Sequence, residues 1–256
     1  MVKLIACDID GTLIRRRQRE IDPAVFAEAE RLMDAGVIFC AASGRQYSSL
    51  RELFAPVADR IYYICENGAV VIGPGSHGEI IASMPMPRKP AVELCRDIMR
   101  RDGYELMASG AYISYLCPKS PSFAALVQGY LDADAAVLAD PDDIPEDILK
   151  VSAYNPDDIA PIAQEMSERW GAQFNVAVAG QLWIDFTVAD KGRAVSRICS
   201  ALDIPLSEAA AFGDSYNDVP MLDCVGHPHI MSTAEQELLD RYSVHCARVE
   251  DALREM

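Results

Sequence analysis

Short apolar runs that end abruptly at polar residues alternate with amphipathic stretches along the first part of the chain. Residues 2–7 form one such run and stop at Asp8, and residues 37–42 form another and stop at Ser43. Runs of this kind predict strands buried on both faces of a parallel sheet. Between them, an Asp-Pro start and an apolar stripe predict a helix over residues 23–35. This alternation predicts an α/β fold with right-handed crossovers.

The same alternation continues beyond Ser43. Apolar residues predict a short helix around 50–54 and a third strand over 61–65. Turn residues then follow at 66–68 and 73–75, between short apolar stretches. They predict a hairpin that projects from the edge of the sheet.

The pattern changes near residue 84 and returns after residue 187. The intervening segments predict helices near 90–101, 121–131 and 157–169, strands over 149–154, 173–178 and 182–187, a hairpin across Ser109-Gly110, and an acidic surface loop over 132–146. This order predicts an α+β module on an antiparallel sheet. A helix over 191–202 and a strand over 209–212 then resume the first pattern. We therefore predict a core domain of residues 1–83 and 188–256, interrupted by an insert of residues 84–187.

Composition narrows the possible partners. Half of the residues are hydrophobic and 24% are charged, which excludes a disordered or low-complexity chain. The formal net charge of −16 argues against binding to nucleic acid or anionic membranes. No apolar run is long enough for a membrane span, and Asp8 and Asp10 lie where the apolar core of a secretory leader would be. Eight scattered cysteines without a Cys-x-x-Cys pair favour reduced thiols, so we expect a cytoplasmic protein.

Polar clusters follow three of the predicted strands. They are Asp-Ile-Asp-Gly-Thr at 8–12, Ser-Gly-Arg at 43–45 and Gly-Asp-Ser-Tyr-Asn-Asp at 213–218, and Lys191 precedes the last strand. Open parallel sheets bind ligands at the carboxyl ends of their strands. Carboxylates converging there suit Mg²⁺, which keeps waters and a substrate phosphate in its shell. The clusters therefore predict a site for phosphoryl transfer.

The first cluster contains two carboxylates with separable tasks. Asp8 is a candidate covalent nucleophile, and Asp10 a candidate acid and base for the leaving alcohol and for water. Each cluster also has a purely structural interpretation. An Asx-type turn would explain residues 8–12, a solvated lysine would explain Lys191, and helix capping would explain Asn217 and Asp218.

Four ordered motifs, at residues 8–13, 43–45, 191–192 and 213–218, resemble those of the haloacid dehalogenase (HAD) superfamily. The insert between the second and third motifs, and Glu-Asn-Gly-Ala at 66–69, resemble its Cof-type branch of sugar-phosphate phosphatases. One departure is the stretch 231–234, Met-Ser-Thr-Ala, which stands where this branch often has Met-Gly-Asn-Ala. It follows an unusual His-Pro-His at 227–229, so the pattern leaves the shape of this loop undefined.

The resemblance implies a doubly wound HAD-like core, an inserted α+β cap that closes over the site and selects the substrate, and hydrolysis of a small phosphomonoester with Mg²⁺. It implies that Asp8 forms an aspartyl phosphate and that Asp10 is the acid and base. The implied phosphate ligands are Thr12, Ser43, Gly44, Lys191 and Asn217, and the implied metal ligands are Asp8, the main-chain carbonyl of Asp10, and Asp214, supported by Asp218.

Several alternatives remain open at this point. Cys40 could start a cysteine-phosphatase loop, although the spacer is one residue short, and Ser215 resembles an esterase nucleophile. A phosphomutase, or a regulatory protein that binds a phosphometabolite without turnover, would share the fold. His227 and His229 could bind a metal but lack a third ligand. The arginines at 15–19 could attract an anionic substrate or form a solvated loop.

Overall fold

A computed structural model describes residues 1–15, 18, 20–130 and 134–256. The described residues form two compact units. Unit 1 comprises Met1–Arg45, Leu50–Ala82 and Asp190–Met256, and unit 2 comprises Gln46–Ser49 and Ser83–Ala189. Within the described ranges, no helix is both long and apolar enough to span a membrane.

The secondary structure follows the predicted alternation. The strands are β1 (Leu4–Asp8), β2 (Ile38–Ala42), β3 (Tyr62–Cys65), β4 (Val70–Ile72), β5 (Ile80–Ser83), β6 (Glu105–Ser109), β7 (Ser114–Leu116), β8 (Ala135–Val137), β9 (Lys150–Tyr154), β10 (Asn175–Ala179), β11 (Trp183–Thr187), β12 (Ala209–Gly213), β13 (His227–Met231) and β14 (His245–Cys246). The α-helices are α1 (Pro23–Asp34), α2 (Tyr47–Leu53), α3 (Arg88–Met99), α4 (Pro121–Ala125), α5 (Ala160–Trp170), α6 (Lys191–Ala201), α7 (Val219–Cys224), α8 (Gln236–Arg241) and α9 (Val249–Arg254).

Unit 1 is built on a sheet in the order β14-β13-β12-β1-β2-β3-β4-β5. The strands from β14 to β3 are parallel, and β1 lies between β12 and β2. Every residue of β1 and β12 is buried, which explains why both strands are apolar apart from Asp8 at the end of β1. The predicted α/β fold with a parallel sheet is confirmed. Asp8 therefore ends a central strand, and the loops after β1, β2 and β12 leave the same edge of the sheet.

The hairpin expected after β3 does not project from the sheet. The turn at Glu66–Gly68 instead reverses the chain so that β4 pairs antiparallel with β3 and β5 lies beside β4. The three residues of β4 are apolar and buried. Extending the sheet covers them, whereas a projecting hairpin would expose them to water.

Residues 227–231, interpreted from sequence as part of a loop, form the strand β13. This strand pairs in parallel with β12, and Pro228 lies opposite Ala211. On its other side, β14 pairs only with Ile230 and Met231. Pro228 thus lies where β13 has one neighbouring strand, and a residue without an N–H is tolerated at such an edge.

Unit 2 is built on a second sheet in the order β10-β11-β9-β6-β7-β8. Its strands are antiparallel except for the pair β7 and β8. Apolar residues of α3 and α5 pack against one face in a core that includes Leu94, Val151, Met166 and Phe186. Phe123 and Val127 pack on the other face, against Met107 and Leu116.

Two expectations for this unit were wrong in detail. Residues 134–146, the described part of the acidic segment 132–146, are not only a loop, because they contain β8 and a 3₁₀ turn at Pro141–Asp143. Pairing with β7 orders β8 even though its sequence is short and lies among aspartates. The helix expected over 121–131 is α-helical only to Ala125 and continues as a π-helical turn over Leu126–Tyr130.

Candidate active site

The loop after β1 is a tight turn that brings the backbone close to Asp214. The N–H of Gly11 donates to the carbonyl of Ile14 at 2.9 Å, and the N–H of Ile14 donates to the carbonyl of Ile9 at 2.8 Å. Gly11 has a φ of +105°, and a Cβ at this position would lie 2.1 Å from Asp214 Oδ2. Only glycine satisfies both the backbone conformation and the close approach.

Lys191 joins two buried carboxylates. Asp190 caps the start of α6, since its side chain accepts from the N–H of Arg193 at 2.8 Å, and this places Lys191 at the first position of the helix. The Lys191 ammonium donates to Asp8 Oδ1 at 2.5 Å and to Asp218 Oδ1 at 2.6 Å. Its side chain is 1% exposed, so the interpretation as a solvated lysine is wrong.

Both carboxylate oxygens of Asp218 have partners. Oδ1 accepts from Lys191, and Oδ2 accepts from the N–H groups of Asp214 at 3.0 Å and Ser215 at 3.1 Å. Asp218 and Ser215 also form a capping box around the 3₁₀ turn that precedes α7. The capping interpretation of Asp218 is therefore correct, and the same carboxylate fixes both the Lys191 ammonium and the backbone of the Asp214 loop.

Three carboxylates form a potential metal site. Oxygens of Asp8, Asp214 and Asp218 all lie within 4.8 Å of one another, and Thr12 Oγ1 donates to Asp214 Oδ1 at 3.4 Å. Asp8 Oδ2 is buried and has no hydrogen-bond partner in the described part of the chain. An oxygen in this situation fits a cation ligand, because a buried carboxylate without a partner is costly.

The electrostatics of the cluster lead to the same conclusion. Burial and the neighbouring Asp218 raise the pKa of Asp8 from 3.8 to about 8, against the opposing effect of Lys191. Burial and Asp218 likewise raise the pKa of Asp214 to about 6. Burial disfavours the Lys191 ammonium, but Asp218 and Asp8 outweigh it and raise the pKa of Lys191 above its usual range. Three carboxylates beside one ammonium leave an excess of negative charge that a divalent cation would neutralise.

The Asp10 carboxylate does not join this cluster. It accepts two hydrogen bonds from the Arg45 guanidinium, from Nη2 to Oδ1 at 2.6 Å and from Nε to Oδ2 at 3.0 Å. More than half of the Asp10 side chain is exposed. Arg45 belongs to the second motif, but its pairing with Asp10 is not predictable from the sequence, because a contact between two loops has no signature in either loop alone.

The remaining predicted phosphate ligands lie in the loops around the cluster. Ser43 is buried directly after β2, and its Oγ accepts from the N–H of Arg45 at 3.2 Å. Asn217 lies in the turn before α7, where its Oδ1 accepts from Ser215 Oγ at 2.5 Å. All the predicted site residues belong to unit 1.

Comparison with known proteins identifies the family. The model of the haloacid dehalogenase-like hydrolases matches residues 5–251, nearly the whole chain. The chain belongs to the haloacid dehalogenase-like hydrolase family. The resemblance inferred from the four motifs is thereby confirmed.

Named relatives of this hydrolase are phosphatases. It is 24% identical over 236 residues to the 5-amino-6-(5-phospho-D-ribitylamino)uracil phosphatase of Escherichia coli, covering 91% of this chain and 86% of the relative. It is 25% identical over 255 residues to the HMP-PP phosphatase of Yersinia enterocolitica, covering 93% of this chain and 86% of the relative. The crystal structure of a protein from Eubacterium rectale superimposes on this chain with a TM-score of 0.86 at 30% sequence identity. The superposition covers 99% of this chain and 98% of that one. The chain is accordingly a phosphatase of the HAD hydrolase family.

The structure also bears on the alternative roles of Cys40, Ser215 and His229. Cys40 is fully buried in β2, and burial raises the pKa of its thiol well above the usual value, which opposes thiolate chemistry. Ser215 Oγ donates to Asn217 and Asp218, and in the described part of the chain it has no contact with the histidine base that an esterase needs. His229 stacks on Phe212 with ring centroids 4.4 Å apart. This contact accounts for the ring without a metal.

The basic segment 15–19 is only partly described. Arg15 pairs with the buried carboxylate of Glu250 in α9 at 2.5 Å, which is a structural contact rather than a substrate guide. Positions 16, 17 and 19 lie outside the described residues.

Proposed function

We propose that this hydrolase cleaves a small phosphomonoester with Mg²⁺ through an aspartyl phosphate formed on Asp8. The observation that carries the proposal is the Asp8 carboxylate itself. One of its oxygens is held by Lys191 at 2.5 Å, while the other is buried and without a hydrogen-bond partner among the described residues. Such a carboxylate is oriented for attack and is not blocked by a competing donor.

The reaction has two steps, phosphoryl transfer to Asp8 and hydrolysis of the aspartyl phosphate. A carboxylate oxygen of Asp8 forms a bond to phosphorus as the bond to the leaving oxygen breaks, and the carboxylic acid of Asp10 gives its proton to that oxygen. Water then attacks phosphorus, Asp10 takes a proton from it, and the bond between Asp8 and phosphorus breaks to release phosphate. Asp10 must leave Arg45 to act as an acid, because both of its oxygens accept from that guanidinium.

The loops around Asp8 provide donors for the phosphoryl oxygens. We assign this role to the hydroxyls of Thr12 and Ser43, the N–H of Gly44, the Lys191 ammonium and the Asn217 amide. These groups are neutral or cationic, so they oppose the negative field of the chain where a phosphate must bind. Backbone turns set the positions of Thr12, Ser43 and Gly44, and the Lys191 ammonium is held by Asp8 and Asp218. Groups fixed in this way need less reorganisation on binding.

Asp8, Asp214 and the main-chain carbonyl of Asp10 would hold Mg²⁺, since this cation prefers oxygen ligands. Asp218 is better assigned to positioning, because both of its oxygens are already engaged by Lys191 and by backbone N–H groups. When bound, Mg²⁺ would neutralise charge between the carboxylates and the phosphoryl group.

We assign unit 2 the role of a cap that selects the leaving group. Its sheet carries several buried polar residues. Ser152 Oγ donates to Asp185 Oδ1 at 2.6 Å, and the Lys150 ammonium lies 3.6 Å from Asp185 Oδ2. The hydroxyl of Ser109, opposite Lys150 on the adjacent strand, is buried and has no partner in the described ranges. Hydroxyl and charged groups of this kind suit a hydroxyl-rich leaving group such as a sugar.

The test is hydrolysis by the purified protein of p-nitrophenyl phosphate and of a panel of phosphometabolites. The panel contains sugar phosphates, the phosphoribitylamino-uracil and HMP-PP, the last two because relatives are named for them. We expect Mg²⁺-dependent phosphate release that EDTA abolishes. Asp8→Asn should lower kcat by roughly a thousandfold or more while its melting temperature stays within a few degrees of the wild type.

A trapped phosphoenzyme distinguishes this mechanism from direct attack by water. When wild-type protein is quenched with acid during turnover, it should carry one covalently bound phosphate. Asp8→Asn treated in the same way should carry none. Full activity in Asp8→Asn would contradict the mechanism. Absence of hydrolysis across the whole panel, together with tight binding of a phosphometabolite, would favour a regulatory binding protein instead.

A further inference from the structure

The turn between β3 and β4 has an unusual backbone. Glu66, Asn67 and Gly68 have φ values of +52°, +56° and +98°, so three successive residues are left-handed. Two of them are not glycine, and this conformation is unfavourable for residues with a Cβ. Glu66 is also 2% exposed. Local strain of this kind persists only where the surrounding structure requires it and is concentrated at functional sites.

The backbone of this turn contacts two loops of the candidate active site. The N–H of Asn67 donates to the carbonyl of Ser43 at 2.9 Å, and the N–H of Glu66 donates to the carbonyl of Arg45 at 3.1 Å. A Cβ on Gly68 would lie 2.3 Å from the carbonyl of Asp190, next to Lys191. The left-handed conformation therefore fits the turn between the second motif and the start of α6.

The Asn67 side chain contacts a third part of the site. Asn217 Nδ2 donates to Asn67 Oδ1 at 3.5 Å, a long hydrogen bond. A Cβ on Gly44 would lie 3.0 Å from Asn67 Oδ1 and 3.1 Å from Nδ2, so the amide packs flat against the glycine backbone. This packing restricts the plane of the Asn67 amide.

These contacts fix the amide of Asn217 from both ends. Its Oδ1 accepts from Ser215 Oγ at 2.5 Å, and one of its two N–H groups donates to Asn67. The other N–H is not engaged by any described residue. An amide held in this way presents a donor in a defined direction at little entropic cost.

We infer that Asn67 is a positioning residue for the phosphate site, acting by orienting the Asn217 amide toward the phosphoryl group. The inference rests on the proposed function, in which Asn217 binds phosphate. It assigns a role to the Glu-Asn-Gly segment, which the four motifs do not include. It also explains why asparagine stands here, since asparagine tolerates the left-handed region better than most residues and provides the accepting oxygen.

The test measures inorganic phosphate binding by calorimetry in the presence of Mg²⁺, alongside kcat and KM. Asn67→Gly keeps the left-handed backbone and removes the amide, so it isolates the side chain. We expect phosphate affinity and kcat/KM to fall roughly tenfold, the value of one well-placed hydrogen bond. Asp203→Gly is the matched control, since Asp203 is an exposed non-glycine residue with a φ of +53° outside the site. It should leave both quantities unchanged.

A double-mutant comparison separates positioning from a general structural role. If Asn67 acts through Asn217, then Asn67→Gly combined with Asn217→Ala should bind phosphate no more weakly than Asn217→Ala alone. The inference would be overturned if the fold-losses in phosphate affinity of the two single variants multiplied in the double variant. Unchanged phosphate affinity in Asn67→Gly would also overturn it. Binding and turnover are read separately. Wild-type protein that binds phosphate without hydrolysing any ester would contradict the proposed function, while a non-additive double mutant would still support the role of Asn67.

Discussion

The chemistry of the candidate site depends on a few residues whose neighbours restrict them closely. Asp8 and Asp218 share the Lys191 ammonium, and Asp218 also accepts from the backbone before α7. Asp214 approaches the backbone of Gly11 so closely that a side chain there would overlap its carboxylate. Steric fit is therefore as important as charge at this scale. Glycine is required at position 11 because of the position of Asp214, about two hundred residues away in the sequence.

Gly11→Ala tests this restriction. We expect kcat/KM to fall by about a hundredfold or more, because the new methyl group must displace Asp214 from the site. Gly75→Ala is the control, since Gly75 has a similar φ of +114° but nothing within 4 Å of its Cβ position. Both variants should lose about 1–2 kcal/mol of unfolding free energy from backbone strain, measured by urea denaturation. Equal activity in the two variants would show that the approach of Asp214 to Gly11 does not matter.

Among the elements, strand ends and the turns after them decide what the site contains. β1, β2 and β12 deliver Asp8, Ser43 and Asp214 to one edge of the sheet, as their apolar runs predicted. β13 was missed, because Pro228 and two histidines have poor strand character by themselves. Pairing with β12 and stacking of His229 on Phe212 stabilise this strand, and neither contact is visible within residues 227–231.

This packing predicts a pH dependence of stability. Burial, and to a smaller degree His227, lower the pKa of His229 below 6.5. The unfolded chain therefore takes up a proton before the folded chain does. The stabilisation is complete above pH 6.5 and is lost as pH falls toward the folded pKa of His229. His229→Phe keeps a stacked ring without a titrating group, so its melting temperature should fall less between pH 7 and pH 5.

The exposed His77 provides the comparison for this measurement. His77→Gln should show the same decline in melting temperature as the wild type. A decline in His229→Phe as steep as that of the wild type would assign the acid sensitivity to other groups, such as the carboxylates of the site.

The described residues of the whole molecule form two compact units. Unit 1 contains every predicted catalytic, phosphate-binding and metal-binding residue, while unit 2 has its own sheet and its own apolar core. The insert enters between β5 and α6, both of which belong mainly to unit 1. All the predicted site residues therefore lie outside the insert.

A fragment of residues Ser83–Ala189 tests whether unit 2 is an independent folding unit. We expect a cooperative thermal transition by circular dichroism, because its strands pair with one another and its core is closed by α3 and α5. The fragment should hydrolyse no phosphomonoester, since it lacks Asp8 and Lys191. A non-cooperative transition would show that residues 83–189 do not fold without the rest of the chain. The first segment to restore would then be Gln46–Ser49, the part of unit 2 that the fragment lacks.

The sequence by itself determined the parallel α/β architecture and the family. Apolar runs that end at aspartate, serine and glycine reflect burial on both sheet faces, and this constraint acts locally along the chain. Four spaced motifs then sufficed for the family, which the comparison confirms. The roles of the individual site residues stay predictions, although the fold brings Asp8, Lys191, Asp214 and Asp218 together.

Only the tertiary structure decided which loops contact one another, and whether segments with little intrinsic strand propensity form strands. The pair of Asp10 with Arg45 and the contact of Asn67 with Asn217 join residues far apart in sequence. β8 and β13 are ordered by their neighbours rather than by their own composition. Such interactions depend on which strands lie side by side, and strand pairing is a long-range choice that local hydrophobic patterns do not encode.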